Sequence, residues 1–219
     1  NVVDPSALSD VFTADGLRYY LMRDMATGYD ADLSDERMDM AYNKELAGGL
    51  GNLLNRSLNM AQKYRSGVLA ADSYDDELNQ ALRATVTETP ARYHEKMNAW
   101  AIHDGIAEAW KIVTHANQFV DSTQPFKLAK DEAQAARLDS VLRHLAEALA
   151  HVSVLLSPIM PEACAKMRAQ LAWQMPDGFK VQFSFTQPGK SCLLTGLNEL
   201  DGEPLDDYKH VIMLMRLPA

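Results

Sequence analysis

The stretch Lys44–Tyr64, KELAGGLGNLLNRSLNMAQKY, decides the fold because its apolar residues recur at helical spacing. On a helix that advances roughly 100° per residue, one side collects Leu46, Leu50, Leu53, Leu54, Leu58, Ala61 and Tyr64. A face this broad has to be buried against other elements. The pattern therefore predicts a long helix that runs from about Asp35 through Tyr64 and ends at Gly67.

The opposite side of this helix carries a polar arc without any acidic residue, made of Gly48, Asn52, Asn55, Arg56, Asn59 and Lys63. Solvated helix faces usually mix Glu and Lys, whereas asparagine is a mediocre helix former. Asn52 and Arg56 lie one turn apart, so an amide and a guanidinium project together. Such a pair can hydrogen-bond to the edges of unpaired bases and to the phosphates of their nucleotides. A solvated face that happens to be rich in asparagine is the alternative.

The residues around this helix also resemble a known family. The run ADGLRYYLMRDMATGYDADLSDERM, followed by NKELAGGLGNLLNRSLNMAQKY, is similar to the C-terminal part of methionyl-tRNA synthetase. The similarity extends from Asn1 to about Trp173. In that family an Asn and an Arg at this spacing read the CAU anticodon, and Asn52 and Arg56 occupy those positions.

This resemblance implies an all-α fold, the helix-bundle anticodon-binding domain of class Ia aminoacyl-tRNA synthetases, with a short irregular or β-containing C-terminal tail. It divides the chain into a stem-contact segment (1–34), an anticodon-binding helical bundle (35–173) and a C-terminal tail (174–219). In the family, the stem-contact segment follows the KMSKS loop that helps to activate ATP. The nucleotide-binding sheet, the HIGH motif and any zinc knuckle would then lie upstream.

A second motif, NQFVDSTQPFKLAKDE, spans Asn117–Glu132. A helix is predicted to end here, and Pro125 fixes the turn that follows. The family has Pro-Trp at this place, and the Trp stacks on the first anticodon base. Phe126 stands where that Trp is usual, and its ring offers a stacking face with less area and no indole N–H. From the residues alone, a core position for Phe126 is the favoured alternative.

The resemblance thus implies the anticodon-binding residues Asn52, Arg56, Pro125 and Phe126. The weaker candidates for RNA contact are Asn55, Asn59, Lys63, Lys127 and Lys130. No catalytic residue is expected in this chain, which should not form methionyl adenylate alone. No cofactor is expected in the fragment either, whereas the full-length enzyme would use ATP and magnesium. The expected partners are the anticodon stem-loop of tRNA and the missing catalytic domain.

The composition limits the classes of function. With 219 residues, of which 47% are hydrophobic, the chain can bury a substantial core. Its net charge of -9 argues against a nonspecific nucleic-acid binder, which normally carries a basic stripe. The segment Gly51–Leu69 nevertheless holds basic residues and no acid. Without a leader-like segment or a membrane-spanning run, the sequence predicts a cytoplasmic protein with no membrane partner; it does not indicate the oligomeric state.

Metal and disulfide sites are not predicted. Cys164 and Cys192 lie in unrelated contexts without neighbouring ligands, so both are expected to be reduced. The acidic pair in Asp30–Asp32 is interpreted as a solvated or capping loop. His144 and His151 share a face of a later helix, but lack a third ligand. They are interpreted as surface or partly buried imidazoles.

The remaining pattern predicts helix ends and core positions. Asp4 and Ser34 are candidate N-caps, and Pro5 suits a first helical turn. Pro90 predicts a break or kink, with a restart of the helix capped by Thr89. Trp100 is assigned to the buried face that continues from the preceding helix. After Pro176, the run VQFSF (181–185) and the pair Pro188-Gly189 predict a short strand and a turn.

Two alternatives remain open at this point. Another class I synthetase, such as that for valine, leucine, isoleucine or cysteine, uses a related helical domain. The spacing of Asn52 and Arg56 together with a Pro-aromatic pair argues against it. The second alternative is a helical module that binds protein or serves as a scaffold. It predicts no anticodon-dependent RNA affinity and no cleft joining Arg56 to Phe126.

Overall fold

Helices dominate the described part of the chain, which in the computed structural model comprises residues 4–31, 33–71 and 73–172 and the backbone of 192–193, 199–200 and 203–204. The helices are α1 (Pro5–Asp24), α2 (Asp35–Asp39), a π-helical stretch (Met40–Gly51), α3 (Asn52–Arg65), α4 (Glu77–Asn98), α5 (Ile102–Thr123), α6 (Pro125–Leu128), a 3-10 turn (Glu132–Gln134), α7 (Ala135–Leu155) and α8 (Pro161–Gln170). The predicted all-α fold is confirmed.

The first helices begin where the sequence predicts. The Asp4 carboxylate accepts a hydrogen bond from the Ser6 backbone N–H, and Pro5 occupies the first helical position. The Ser34 side chain accepts from the Arg37 backbone N–H at the start of α2. Thr13, with a φ of 65°, separates α1 into two helical segments. Both predicted caps are therefore confirmed.

The predicted long helix is continuous from Asp35 to Arg65, through α2, the π-helical stretch and α3. It ends at Ser66 and Gly67, where φ angles of 52° and 77° reverse the winding. The wider winding of the π-helical stretch is not predicted by the apolar pattern. Gly48 suits it because an added Cβ would lie only 3.2 Å from the Asn43 carbonyl oxygen.

The apolar face of the long helix forms one side of the core. Leu50 and Leu54 are fully buried, and α3 packs against α5 and α7. The helices α4 and α5 form an antiparallel pair that packs against α7. Since α7 also contacts α8, it is the central helix of the bundle. The polar arc of α3 is left on the outside.

The predicted break at Pro90 is wrong, because α4 runs through this residue without interruption. Thr89 does not cap a new helix; it is buried and its hydroxyl donates to the Thr85 carbonyl at 2.7 Å. Val86 and Tyr93 are buried on either side of Pro90. Burial of this face stabilises the helix more than the single missing N–H bond destabilises it.

The predicted core position of Trp100 is also wrong, since the residue is 73% exposed. Helix α4 ends at Asn98, and Trp100 has a φ of 60° in the connection to α5. This left-handed residue departs from the helical periodicity, so the ring leaves the buried face. Tyr93 and Met97, which lie before the helix end, do pack on the core.

His144 and His151 are buried, with only 1% and 3% of their surface exposed, which corrects their interpretation as surface or partly buried imidazoles. Each donates its Nδ1–H to a carbonyl one turn earlier on α7, at 2.8 Å from Ser140 O and Glu147 O respectively. A carbonyl can only accept, which assigns the proton to Nδ1. Burial lowers the pKa of His151 to about 4. Both rings are therefore core groups of α7.

The described part of the chain holds no group of three His, Cys, Asp or Glu side chains placed to hold a metal ion, and Asp32 lies outside it. Cys164 is buried, and burial raises the pKa of its thiol to about 12. In the same part of the chain, no helix is long and apolar enough to cross a bilayer.

Short strands accompany the helices. β1 (Val68–Leu69) pairs antiparallel with β2 (Cys192–Leu193), and β3 (Glu199–Leu200) pairs antiparallel with β4 (Glu203–Pro204). The predicted strand at 181–185 and the predicted turn at Pro188-Gly189 lie outside the described residues.

Candidate nucleic-acid interface

The polar arc of the long helix faces solvent, as the periodicity predicts. Asn52 and Lys63 are exposed, while Asn55, Arg56 and Asn59 are half-buried. Asn52 is the first residue of α3, directly after the π-helical stretch. Arg56 follows one turn later, so the two side chains lie on the same side of the helix.

The predicted proline turn is confirmed at the end of α5. Gln124 has a φ of 47°, which stops the helix, and Pro125 then opens the single turn α6. Pro125 is buried and anchors this turn to the bundle. Phe126 is 47% exposed, and Lys127 and Lys130 are exposed beside it. The interpretation of Phe126 as a core residue is therefore wrong.

Arg56 and Phe126 line one cavity of about 390 Å³, although 70 positions separate them along the chain. Its other lining residues are Asn55, Asn59, Met60, Gln62, Lys63 and Tyr64. The structure thus brings the polar arc and the proline turn together. We call this space the Arg56–Phe126 cavity.

Other predicted residues lie outside the lining of this cavity. Asn52 projects from the same helix face one turn before Arg56, and Lys127 is exposed on the turn of Phe126. Lys130 lines a neighbouring cavity of about 480 Å³ together with Arg65 and Asp139. Pro125 is buried and anchors the turn that carries Phe126.

In the lining of the Arg56–Phe126 cavity, two asparagines are hydrogen-bonded to each other. The Asn59 side-chain amide donates to the Asn55 side-chain oxygen at 2.7 Å and to the Asn55 carbonyl at 2.9 Å. These bonds orient both amides before any ligand arrives. They also explain how asparagines at i, i+4 are accommodated inside a helix that would otherwise favour other residues.

The charge of the cavity is weakly compensated. Arg56 Nη2 lies 3.3 Å from Asp121 Oδ1, but the Asp121 side chain is 72% exposed and Arg56 is 36% exposed. Such an exposed pair contributes only about 0 to 1 kcal/mol. Within residues 4–31, 33–71 and 73–172, Lys63 takes part in no ion pair. The cavity therefore keeps positive charge that a phosphate or a base edge can use.

Four residues around this cavity are not among the contacts predicted from the sequence. Met60, Gln62 and Tyr64 line it, and Asp121 forms an ion pair with Arg56. Tyr64 was assigned to the buried face, but it is only half-buried. Its position next to Lys63, at the edge of the polar arc, is the signal in the sequence that points to the cavity.

Comparison with known proteins gives two family matches along the chain. Residues 1–58 match the family model of class I (M) tRNA synthetases. Residues 70–192, more than half of the chain, match the anticodon binding domain of methionyl tRNA ligase. The chain belongs to the methionyl-tRNA ligase family. The predicted resemblance is thereby confirmed, and the family match decides against the synthetases for other amino acids.

Individual methionyl-tRNA ligases agree with this assignment. The methionine–tRNA ligase of Caldanaerobacter subterraneus is 40% identical over 171 residues, which cover 78% of this chain and 27% of that protein. That of Lactococcus lactis is 35% identical over 192 residues, or 86% of this chain and 29% of that protein. The chain thus spans less than a third of the length of these methionyl-tRNA ligases.

A solved methionyl-tRNA synthetase confirms the fold. The Mycobacterium tuberculosis enzyme bound by methionyl-adenylate superposes with a TM-score of 0.81 at 32% identity. The match covers 86% of this chain and 38% of that one. The helical architecture is therefore that of a methionyl-tRNA synthetase region, as the sequence predicts.

Proposed function

We propose that this chain recognises the CAU anticodon of methionine tRNA, as part of a cytoplasmic enzyme that aminoacylates this tRNA with the use of ATP and magnesium. The observation that carries the proposal is the shared cavity of Arg56 and Phe126, which joins a permanently charged fork to an exposed aromatic ring. Unpaired bases are commonly bound by such a combination of stacking and edge contacts.

Each proposed residue has a separate task. Asn52 presents an amide for the edge of a base, and Arg56 presents donors for a base or a phosphate. Phe126 supplies a stacking face, held in place by buried Pro125. A base that leaves these polar groups unsatisfied is rejected, because desolvated donors and acceptors without partners cost free energy.

The local charge serves the same purpose. Lys63, Lys127 and Lys130 are exposed around the two elements that form the cavity, while the whole chain is acidic. Binding should therefore depend on a few phosphate contacts and on the bases themselves, with a modest salt dependence. Asn55 and Asn59 are proposed as secondary contacts, because they line the cavity with their amides already oriented.

The proposed division of the chain assigns residues 1–34 to the tRNA stem, 35–173 to the anticodon and 174–219 to a tail. The first two parts are closely joined, since the Glu45 carboxylate bonds to Arg23 Nη2 at 2.8 Å and to the Tyr19 hydroxyl. We propose the catalytic domain of the full-length enzyme as the protein partner of this chain.

The proposal is tested by replacing Asn52 and Arg56 together by alanine. Affinity for a CAU anticodon stem-loop should fall strongly, and the preference over a stem-loop with a scrambled loop should disappear. A matched control is the double change of Asn98 and Lys96 to alanine at the end of α4, because neither residue lines the cavity. Equal losses for the CAU and scrambled loops would contradict the assignment.

A further inference from the structure

A second aromatic ring faces the Arg56–Phe126 cavity. Tyr64, near the C-terminal end of α3, is half-buried and lines this cavity together with Phe126. Phe126 comes from α6, on a separate element of the bundle. The cavity is therefore lined by two rings from different helices.

A cation lies over one face of this second ring. The Lys63 ammonium is 5.7 Å from the centroid of the Tyr64 ring, and Lys63 is exposed. At this distance the cation interacts weakly with the ring. A base that stacked on Tyr64 would bring its phosphate close to a charge that no described carboxylate neutralises.

The backbone of Tyr64 is held by the neighbouring arginine. Arg65 Nη1 donates to the Tyr64 carbonyl at 2.8 Å, and Arg65 Nη2 donates to the Ala135 carbonyl at 3.2 Å. The same guanidinium bonds to the Asp139 carboxylate through Nε. These bonds tie the end of α3 to the start of α7, which follows the segment that carries Phe126. The frame around the two rings is thus ordered before binding, which lowers the entropic cost of association.

We propose that Tyr64 is a second stacking residue, so that the cavity takes two unpaired bases of one RNA strand, one on Phe126 and one on Tyr64. Lys63 then binds the phosphate of the nucleotide on Tyr64. This inference rests on the proposed function and adds a residue that determines which positions of the loop are contacted.

The test compares Tyr64→Leu with Tyr64→Phe in binding of the CAU stem-loop. Loss of one stacking ring should weaken binding about 5- to 150-fold, the range that corresponds to stacking on an aromatic side chain. Tyr64→Phe keeps the ring and should stay within about twofold of the unmodified chain. Tyr29→Leu is the matched control, because Tyr29 is 80% exposed and does not line the cavity.

Stem-loops with one abasic position separate stacking from a structural role. The base on Tyr64 is the one whose removal abolishes the effect of Tyr64→Leu, and a different position should abolish the effect of Phe126→Leu. A structural role of Tyr64 would instead weaken binding of all these loops equally. Should Tyr64→Leu not fold, Tyr64→Met is measured in the same cycle.

Three results would overturn the inference. These are unchanged affinity of Tyr64→Leu, equal losses for Tyr64→Leu and Tyr64→Phe, and coupling of both rings to the same loop position. They are distinguishable from failure of the proposed function, in which the unmodified chain itself would not discriminate CAU from a scrambled loop.

Discussion

Two concave regions of this bundle both combine basic side chains with an aromatic ring, yet their charges are arranged differently. A groove of about 590 Å³ is lined by Arg23, Arg92, Lys111 and Trp110, and is larger than the Arg56–Phe126 cavity of about 390 Å³. By the number of basic residues alone, the groove would be the better anion site.

In the groove, each cation is bound to a carboxylate. Arg23 lies 2.8 Å from Glu45, Arg92 lies 3.0 Å from Glu88, and Lys111 lies 2.6 Å from Glu108. Burial also lowers the pKa of His115, which lines the groove. The groove is consequently an ion-paired surface lined by residues of α1, α4 and α5.

In the Arg56–Phe126 cavity, Arg56 has only the exposed Asp121 as an ionic partner among the described residues, and Lys63 has none there. Phe126 is 47% exposed, whereas Trp110 is half-buried and packs against Tyr19 with the ring centroids 5.2 Å apart. We infer that the exposure of a ring and the pairing of the cations, and not the count of basic residues, distinguish the proposed binding site from the ion-paired groove.

The largest expected effect is on RNA binding by Phe126→Ala. Removal of the stacking face should weaken affinity for the CAU stem-loop about 5- to 150-fold. Trp100→Ala removes a more exposed aromatic ring outside the cavity and should leave affinity unchanged. Both are measured by titration at one fixed salt concentration; similar losses would show that the place of an aromatic ring in the cavity does not decide affinity.

A smaller effect, on stability, is expected from Glu45→Ala beside the groove. The fully buried Tyr19 donates its hydroxyl proton to Glu45, and burial raises the pKa of this phenol. Loss of the acceptor should lower the free energy of unfolding by about 1 to 3 kcal/mol, as measured by urea denaturation. Affinity for RNA, measured where the variant is fully folded, should stay the same. A loss of affinity without a loss of stability would reverse the roles of the two regions.

The smallest effect is expected on the salt dependence of binding. Lys63→Ala should reduce the slope of log K against log salt by about 0.7, the value for one phosphate contact on a single strand. Lys111→Ala should leave the slope unchanged, because Glu108 already neutralises this ammonium. Equal slopes for the two variants would show that an existing ion pair does not prevent a lysine from binding a phosphate of the RNA.

Much of the local structure follows from the sequence, since periodicity and caps act within one or two turns. The burial of Leu50 and Leu54 and the caps at Asp4 and Ser34 are of this kind. The predictions that are wrong concern residues whose exposure or backbone depends on packing between distant parts of the chain. Trp100 follows the end of α4 and leaves the buried face. Pro90 is accommodated within α4 because the residues before and after it are buried. His144 is satisfied by its own helix, which a search for ligand spacing does not detect.

By itself, the sequence determined which face of each helix is apolar, where helices begin, and the family to which the chain belongs. Only the tertiary structure decided that Arg56, Tyr64 and Phe126 line one cavity while the cations of the larger groove are neutralised. The reason is physical. Helical faces depend on residues three or four positions apart, whereas cavities and ion pairs depend on how separate helices pack against each other.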